Sequence, residues 1–242
     1  MNSYLFLISI SSTGATHMHT LTRKETKAFY DRFGSRQDKQ AFYEDPAIRV
    51  LIKNAHFDQA ETVVEFGCGT GRFARCLLAD HLSDKATYWG CDISKTMVTL
   101  TENRIRPYGG RAKVMEMDGG LGFPLADAGT DRFISNYVLD ILSEADIQRV
   151  LNESHRILRE DGLVCLVSIT SGIHLFSKLV MGVWKWTHAL RPTLVGGCRP
   201  IELSQCLPSN DWDITHQSIV VAFGVASEVI VARKQGTNGN NP

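Results

Sequence analysis

A short β-prone run, Thr62-Val63-Val64-Glu65-Phe66, passes directly into Gly67-Cys68-Gly69-Thr70-Gly71, and a helix-prone segment over 72–80 follows at once. Three glycines at alternate positions between a strand and a helix allow a tight turn whose backbone amides approach a ligand closely. Taken alone such a turn is a weak signal and serves equally well as a plain connection. Its place between strand and helix makes ligand binding the stronger reading.

The rest of the chain repeats the alternation. Strands are expected over 87–91, ending at Asp92, over 113–117, ending at Asp118, over 132–138, and over 163–169 after an Asp161-Gly162 turn. Ser94 and Ser143 are placed to cap the helices between them, the first over 95–106. The second carries Ile147, Val150, Leu151, Ser154 and Leu158 at helical spacing. Strands that alternate with helices imply a parallel sheet covered on both faces. The segments 214–223 and 228–232, joined through Gly224, read as a hairpin, so one strand must run against the others. The expected architecture is α/β: a mostly parallel seven-stranded sheet with a C-terminal antiparallel hairpin.

Ahead of the first strand, 21–33 reads as a polar helix ending at Gly34, and Asp45-Pro46 as the cap and first turn of a helix reaching about His56. The organisation expected is a flexible extension over 1–20, N-terminal helices over 21–57, a main domain over 58–235 with an insertion at 171–210, and a disordered tail over 236–242. The apolar stretch Tyr4–Ile10 is too short to span a bilayer and has no preceding positive charge, which makes it a poor signal peptide; translation starting at Met18 would remove it.

Lysine and arginine total 26, as do aspartate and glutamate, a balance that argues against a broad nucleic-acid surface. The six cysteines form no CxxC pair and no His/Cys cluster with zinc spacing, so they read as free thiols of a reducing, cytoplasmic compartment, and no metal is expected.

Two ligand classes compete for the glycine loop. A dinucleotide fingerprint would place a third glycine where Arg72 stands, a residue too bulky for close helix–strand packing. The pattern is instead Glu65-x-Gly67-x-Gly69-x-Gly71, with an acid suited to a cationic amino group. Asp92, at the end of the second strand, is suited to accept hydrogen bonds from both hydroxyls of a ribose. It is equally a candidate helix cap.

On these residues the chain resembles the class I, Rossmann-like S-adenosylmethionine-dependent methyltransferases, most closely in general look those of ubiquinone and menaquinone biosynthesis. The likeness covers roughly 60–170. It implies a donor site at Glu65, Gly67, Cys68, Gly69, Gly71, Asp92 and Ile93. It implies an adenine contact at Asp118 and Gly119, and donor and acceptor pockets lined after the fourth strand by Asn136 and Tyr137. It also implies that the N-terminal helices cap the donor. The cofactor expected is S-adenosyl-L-methionine.

No catalytic motif stands out. Asp140, Tyr30, His174 and His188 are the acid–base candidates, each with a structural reading beside it. Methyl transfer from a sulfonium can proceed largely by positioning, so no base is required. The run Ile173–Leu190 reads as a helix capped by Ser171 and stopped by Pro192, with His174, Lys178, Lys185 and His188 on one stripe and apolar residues on the other face. It is either a core helix or a lid over an apolar acceptor pocket that touches a membrane surface through Trp184 and Trp186. The acceptor expected is small and hydrophobic or lipid-like, and nucleic acid is not expected as a partner. The rival readings are a protein that uses S-adenosylmethionine without transferring methyl, and a nicotinamide-dependent oxidoreductase.

Overall fold

The computed structural model describes residues 20–235, so the expected extension and tail fall almost wholly outside the described residues. Seven strands form one sheet in the order β3-β2-β1-β4-β5-β7-β6. They are β1 (Thr62–Phe66), β2 (Thr87–Asp92), β3 (Ala112–Glu116), β4 (Thr130–Asn136), β5 (Leu158–Ile169), β6 (Trp212–Ala222) and β7 (Val225–Lys234). The first five pair in parallel, and β7 runs antiparallel to both β5 and β6. The expected fold class and the single reversed strand are both present.

The hairpin closes through Phe223 and Gly224, which both have positive φ, 52° and 85°. That pair of conformations gives a two-residue turn whose twist matches the flanking strands. Between β4 and β5 the register jumps from Thr130↔Leu158 to Arg132↔Leu163. The Asp161-Gly162 turn is therefore an excursion within β5 and not a separate element before it.

Helices α1 (Arg23–Phe33), α2 (Ala41–Asn54), α3 (Arg72–Asp80), α4 (Lys95–Ile105), α5 (Glu144–Ile157), α6 (Leu175–Leu190) and α7 (Leu203–Cys206) cover the sheet. Ser94 caps α4 by accepting from Met97 N at 3.2 Å, and Ser143 caps α5 by accepting from Asp146 N at 3.1 Å. Two hydrophobic cores result. One gathers Leu51, Leu77, Tyr88 and Ile134; the other gathers Phe133, Leu151, Ile157 and Val164.

Three expectations about caps and faces fail for identifiable reasons. Asp45 does not cap α2, which begins four residues earlier; its carboxylate pairs with Arg72 instead, and Pro46 lies inside the helix. Ser171 does not cap α6, because its Oγ accepts from Lys185 Nζ at 3.1 Å and the helix begins after His174. The expected polar stripe on α6 is broken: His188 is buried and its Nε2 lies 3.2 Å from the Gly197 carbonyl oxygen. No helix among the described residues is long and apolar enough to cross a membrane.

Candidate functional site

The carboxyl ends of β1, β2 and β4 converge on the glycine loop, as expected for a ligand site in an open α/β sheet. Two adjoining cavities share Gln37, Gly67, Gly69, Asn136 and Tyr137. The larger is about 340 Å³ and the smaller about 270 Å³.

The loop is held from both sides. Gly67 N and Cys68 N donate to the Cys91 carbonyl oxygen at 2.8 and 2.9 Å. Thr101 Oγ1 donates to the Gly69 carbonyl oxygen at 2.8 Å. Gly69 has φ 54°, and a Cβ there would lie 2.8 Å from Gln37 Oε1, inside the shared space of the cavities. Gly71 serves packing instead. A Cβ there would meet the Thr101 backbone at 2.8 Å, so its bareness lets α3 and α4 approach, and it does not line either cavity. Arg72, standing where a third glycine would be, starts α3 and pairs with Glu44 at 3.0 Å and with Asp45. Those pairs and the Arg104–Asp38 pair tie 34–45 over the loop.

Glu65 is buried at the end of β1 and lines the smaller cavity. Burial raises its pKa to about 7, against the pull of the Tyr88 hydroxyl and the Asn136 amide, which favour its charged form. Asp92 lines the larger cavity; Oδ2 accepts from Gly69 N and Oδ1 from Ser94 N, each at 2.9 Å. Burial lifts its pKa to about 6 although these amides pull it down. Each of its oxygens has a second lone pair, so the carboxylate can brace the loop and still accept from a ligand. Ile93, Met117, Gly119 and Leu121 continue the wall beside Asp92.

Two residues that line this space carry buried polar atoms with no hydrogen-bond partner: the acceptors Gln37 Oε1 and Asn136 Oδ1, and beside the latter the Asn136 Nδ2 donor. Such atoms cost stability unless a ligand satisfies them. An acid, two open acceptors, a carboxylate positioned for a diol and a loop left bare at Gly67 and Gly69 together fit a ligand with an ammonium group and a ribose.

The structure relocates several sequence candidates. Asp118 is exposed; its Oδ1 accepts from Gly120 N at 2.8 Å in a local turn, and it lines neither cavity, whereas Gly119 does. Cys68 is buried on the smaller cavity, with its Sγ 3.7 Å from Thr101 Oγ1. Tyr137, at φ 56°, lends its surface to both cavities, but its hydroxyl lies 2.9 Å from Ser227 Oγ. Of the acid–base candidates only Tyr30 lines a cavity, and its hydroxyl donates to the Gly196 carbonyl oxygen at 3.2 Å. Asp140 is buried away from the cavities; its Oδ2 accepts from Ile169 N at 3.0 Å, so it braces the chain crossing at β5. His174 starts α6 at the surface, and His188 is buried beneath that helix.

Sequence reasoning missed the N-terminal contribution in detail. Leu21, Arg23, Thr26 and Gln37 all line the larger cavity. Gln37 lies in a 3-10 segment, Gly34–Gln40, whose sequence carries no periodicity by which it could be found. No residue of α6 lines either cavity. Trp184 Nε1 instead donates to the Cys198 carbonyl oxygen at 2.9 Å, which makes that tryptophan part of the packing. The insertion reaches the cavity wall through its loop, where Gly196 meets Tyr30 and Gly197 meets Leu21.

Residues 63–162 match the model of a methyltransferase domain. The chain is 25% identical over 169 residues to the tRNA N(3)-methylcytidine methyltransferase Mettl2 of Drosophila melanogaster. That match takes in 65% of the chain and 52% of the relative, so the chain spans about half of that protein's length. Among solved structures, the [4+2]-cyclase SpnF superposes with a TM-score of 0.67 at 15% identity, over 89% of this chain and 97% of that one. A SAM-dependent methyltransferase from Methanosarcina mazei superposes with a TM-score of 0.56 at 17% identity, over 76% and 97%.

Proposed function

We propose that this chain, which carries a class I, Rossmann-like S-adenosylmethionine-dependent methyltransferase domain, transfers a methyl group to a small, hydrophobic or lipid-like acceptor. The observation that carries the reading is the lining of the larger cavity. Asp92, Ile93 and Gly119 line it together with the apolar Leu21, Val138, Ile141 and Leu142, so polar groups suited to a nucleoside and apolar surface share one space.

In this reading Glu65 receives the ammonium of the donor's methionine part and Asp92 its ribose hydroxyls. Met117 and Leu121 flank the adenine, and Gln37 and Asn136 offer their open acceptors. When bound, S-adenosylmethionine supplies a methyl group on a sulfonium, whose leaving group is a neutral thioether. The protein then orients the acceptor and excludes water, and positioning of this kind can supply several kcal/mol of the barrier reduction, up to roughly 7–11 kcal/mol. Tyr30 is the one acid–base candidate within reach, and burial holds its hydroxyl protonated well above the usual tyrosine range. Its one proton is given to the Gly196 carbonyl oxygen, so it could donate to an acceptor oxygen only by leaving that carbonyl, and it does not serve as a base near neutral pH.

A nucleotide of tRNA is the second reading, favoured by the likeness to Mettl2. The charges at the cavity mouth speak against it. Arg23 is the one lysine or arginine among the described residues that line the larger cavity, and it already faces the Asp146 carboxylate at 3.3 Å, which leaves that cavity little positive charge for phosphate. Release of S-adenosylhomocysteine should be measured with a panel of lipophilic phenols and quinols and, separately, with unmodified tRNA. Turnover with the first and none with the second is expected; turnover with tRNA alone would replace this reading by the other. Donor binding with no release from either would point to a use of the donor other than methyl transfer.

The buried acids also give a pH dependence. Glu65 and Asp92 have folded pKa values of about 7 and about 6, above their ordinary values near 4. Between those limits these two groups hold more protons in the folded state than in the unfolded one, so their contribution to the free protein's stability falls as pH rises from about 4 to 7. The donor's ammonium prefers the ionised acid, so its affinity should rise with pH over the upper part of that window. The melting temperature should therefore increase more on adding S-adenosylmethionine at pH 8 than at pH 5.5, and Glu65→Gln should remove most of that difference. Equal increments in the wild type would remove Glu65 from the ammonium role.

A further inference from the structure

We infer that α6, together with Phe42 and the Phe223 turn, is a docking surface for an anionic lipid membrane, separate from the donor and acceptor cavities. The surface is independent of the acceptor's identity.

The helix faces the opposite way from an ordinary surface helix. Its inward side carries Ser177, Met181, Trp184 and His188. Outward stand Leu175, Phe176, Leu179, Val183, Trp186 and Leu190, between 56% and 90% exposed. At 3.6 residues per turn these six fall within an arc of about 100° along the whole helix. A cluster of large apolar side chains this exposed marks an interaction surface in a soluble fold.

The patch extends beyond the helix. Gly224 packs against Phe176 and Val180, and its neighbour Phe223 is 74% exposed. Phe223 meets Phe42, itself exposed, with ring centroids 5.3 Å apart. Phe223 also holds φ 52°, a conformation in which asparagine or glycine would be less strained. An aromatic ring is thus kept at the tip of a turn, facing solvent, where turn geometry favours a different residue.

Charge decides the partner. Lys178 and Lys185 lie on one flank of the apolar arc, separated from it by Gly182 and Ala189, and both are exposed. From Gly162 to Ile201 there is no aspartate or glutamate, while the exposed Lys178, Lys185 and Arg191 fall within that segment; Arg199, also within it, is buried and bonds inward to the Asp140 carbonyl oxygen. The full chain is neutral, so this concentration of cations is local. A second copy docking face to face would set the Lys178 and Lys185 flanks of two helices against each other, and α6 itself carries no acid to pair them. Anionic headgroups supply the missing charge, and acyl chains take the apolar arc, the arrangement of a helix lying in the membrane interface.

The test is flotation of the full chain with vesicles of phosphatidylcholine alone and of phosphatidylcholine mixed with phosphatidylglycerol. Binding is expected to the mixed vesicles, to weaken with salt, and to shift tryptophan emission to the blue. Leu179→Ser with Trp186→Ser should lower partitioning roughly a hundredfold, the loss expected when two large apolar side chains leave an apolar phase. Lys178→Glu with Lys185→Glu should abolish the preference for anionic lipid. Phe223→Asn, which suits the turn, should weaken partitioning while the protein keeps its fold and donor affinity. Wild-type chain that floats with neither vesicle at low salt overturns the proposal. So does a wild-type dimer that the Leu179/Trp186 variant dissociates without any vesicle binding, since the face then belongs to a second copy. Unchanged flotation of the folded Phe223→Asn and Leu179/Trp186 variants overturns it as well.

Discussion

Gly69→Val is expected to abolish binding of S-adenosylmethionine while leaving the protein folded. Gly69 lies between the cavities with φ 54°, a conformation that β-branched residues avoid. A Cβ there would come within 2.8 Å of Gln37 Oε1, and the two methyls of valine would project further into the space where a ligand must approach the backbone. Gln37 is the end of a flexible side chain on a surface segment, so the chain can relax around the substitution at modest cost; the ligand cannot. Calorimetric titration of a variant whose circular dichroism matches the wild type should show no saturable heat. Wild-type affinity would place the donor elsewhere. Gly71→Val is a useful contrast. Its side chain would strike the Thr101 backbone and force α3 from α4, so the expected loss there is in melting temperature first.

Asp92→Ala is expected to weaken donor binding roughly ten- to hundredfold. Hydrogen bonds to a charged group contribute about 1.5–3 kcal/mol, and each 1.4 kcal/mol is a factor of ten. The substitution also removes the acceptor for Gly69 N and Ser94 N, so part of the loss comes through a loosened loop. Asp92→Asn separates the two effects, because its amide oxygen keeps one brace while the charge is gone. Affinity intermediate between wild type and alanine is the expected order. If alanine binds the donor as well as wild type does, Asp92 is a structural brace only and the ribose is held by other groups.

How much of the molecule is legible in the chain depends on what encodes each feature. The strands and the reversed β7 are legible because alternating apolar runs and turn residues are local signals. Glu65, Gly69 and Asp92 are legible because strand ends in an open α/β sheet face the site by geometry. Asp118 also follows a strand, but an aspartate two residues before a glycine amide closes its own turn, and that local bond wins. Asp45-Pro46 carries a helix-start signal that tertiary pairing with Arg72 overrides. Gln37 and Leu21 are not legible because they reach the cavity only through the docking of 20–40 across the loop. Periodicity alone misplaces the faces of α6, because it separates two faces without saying which one meets the core. His188 buried under a helix with Leu175 in solvent is not what hydrophobicity alone would choose.

One ligand is expected to bridge Glu65 and Asp92 across the glycine loop, and the structure of the full chain with S-adenosylhomocysteine bound tests this most directly. The expected result has the ligand's amino group at the Glu65 carboxylate, its ribose hydroxyls on Asp92, its adenine between Met117 and Leu121, and its sulfur facing the space walled by Val138, Ile141 and Leu142. A ligand bound away from the Gly67–Gly71 loop, or one whose ribose and amino group meet neither acid, would contradict it.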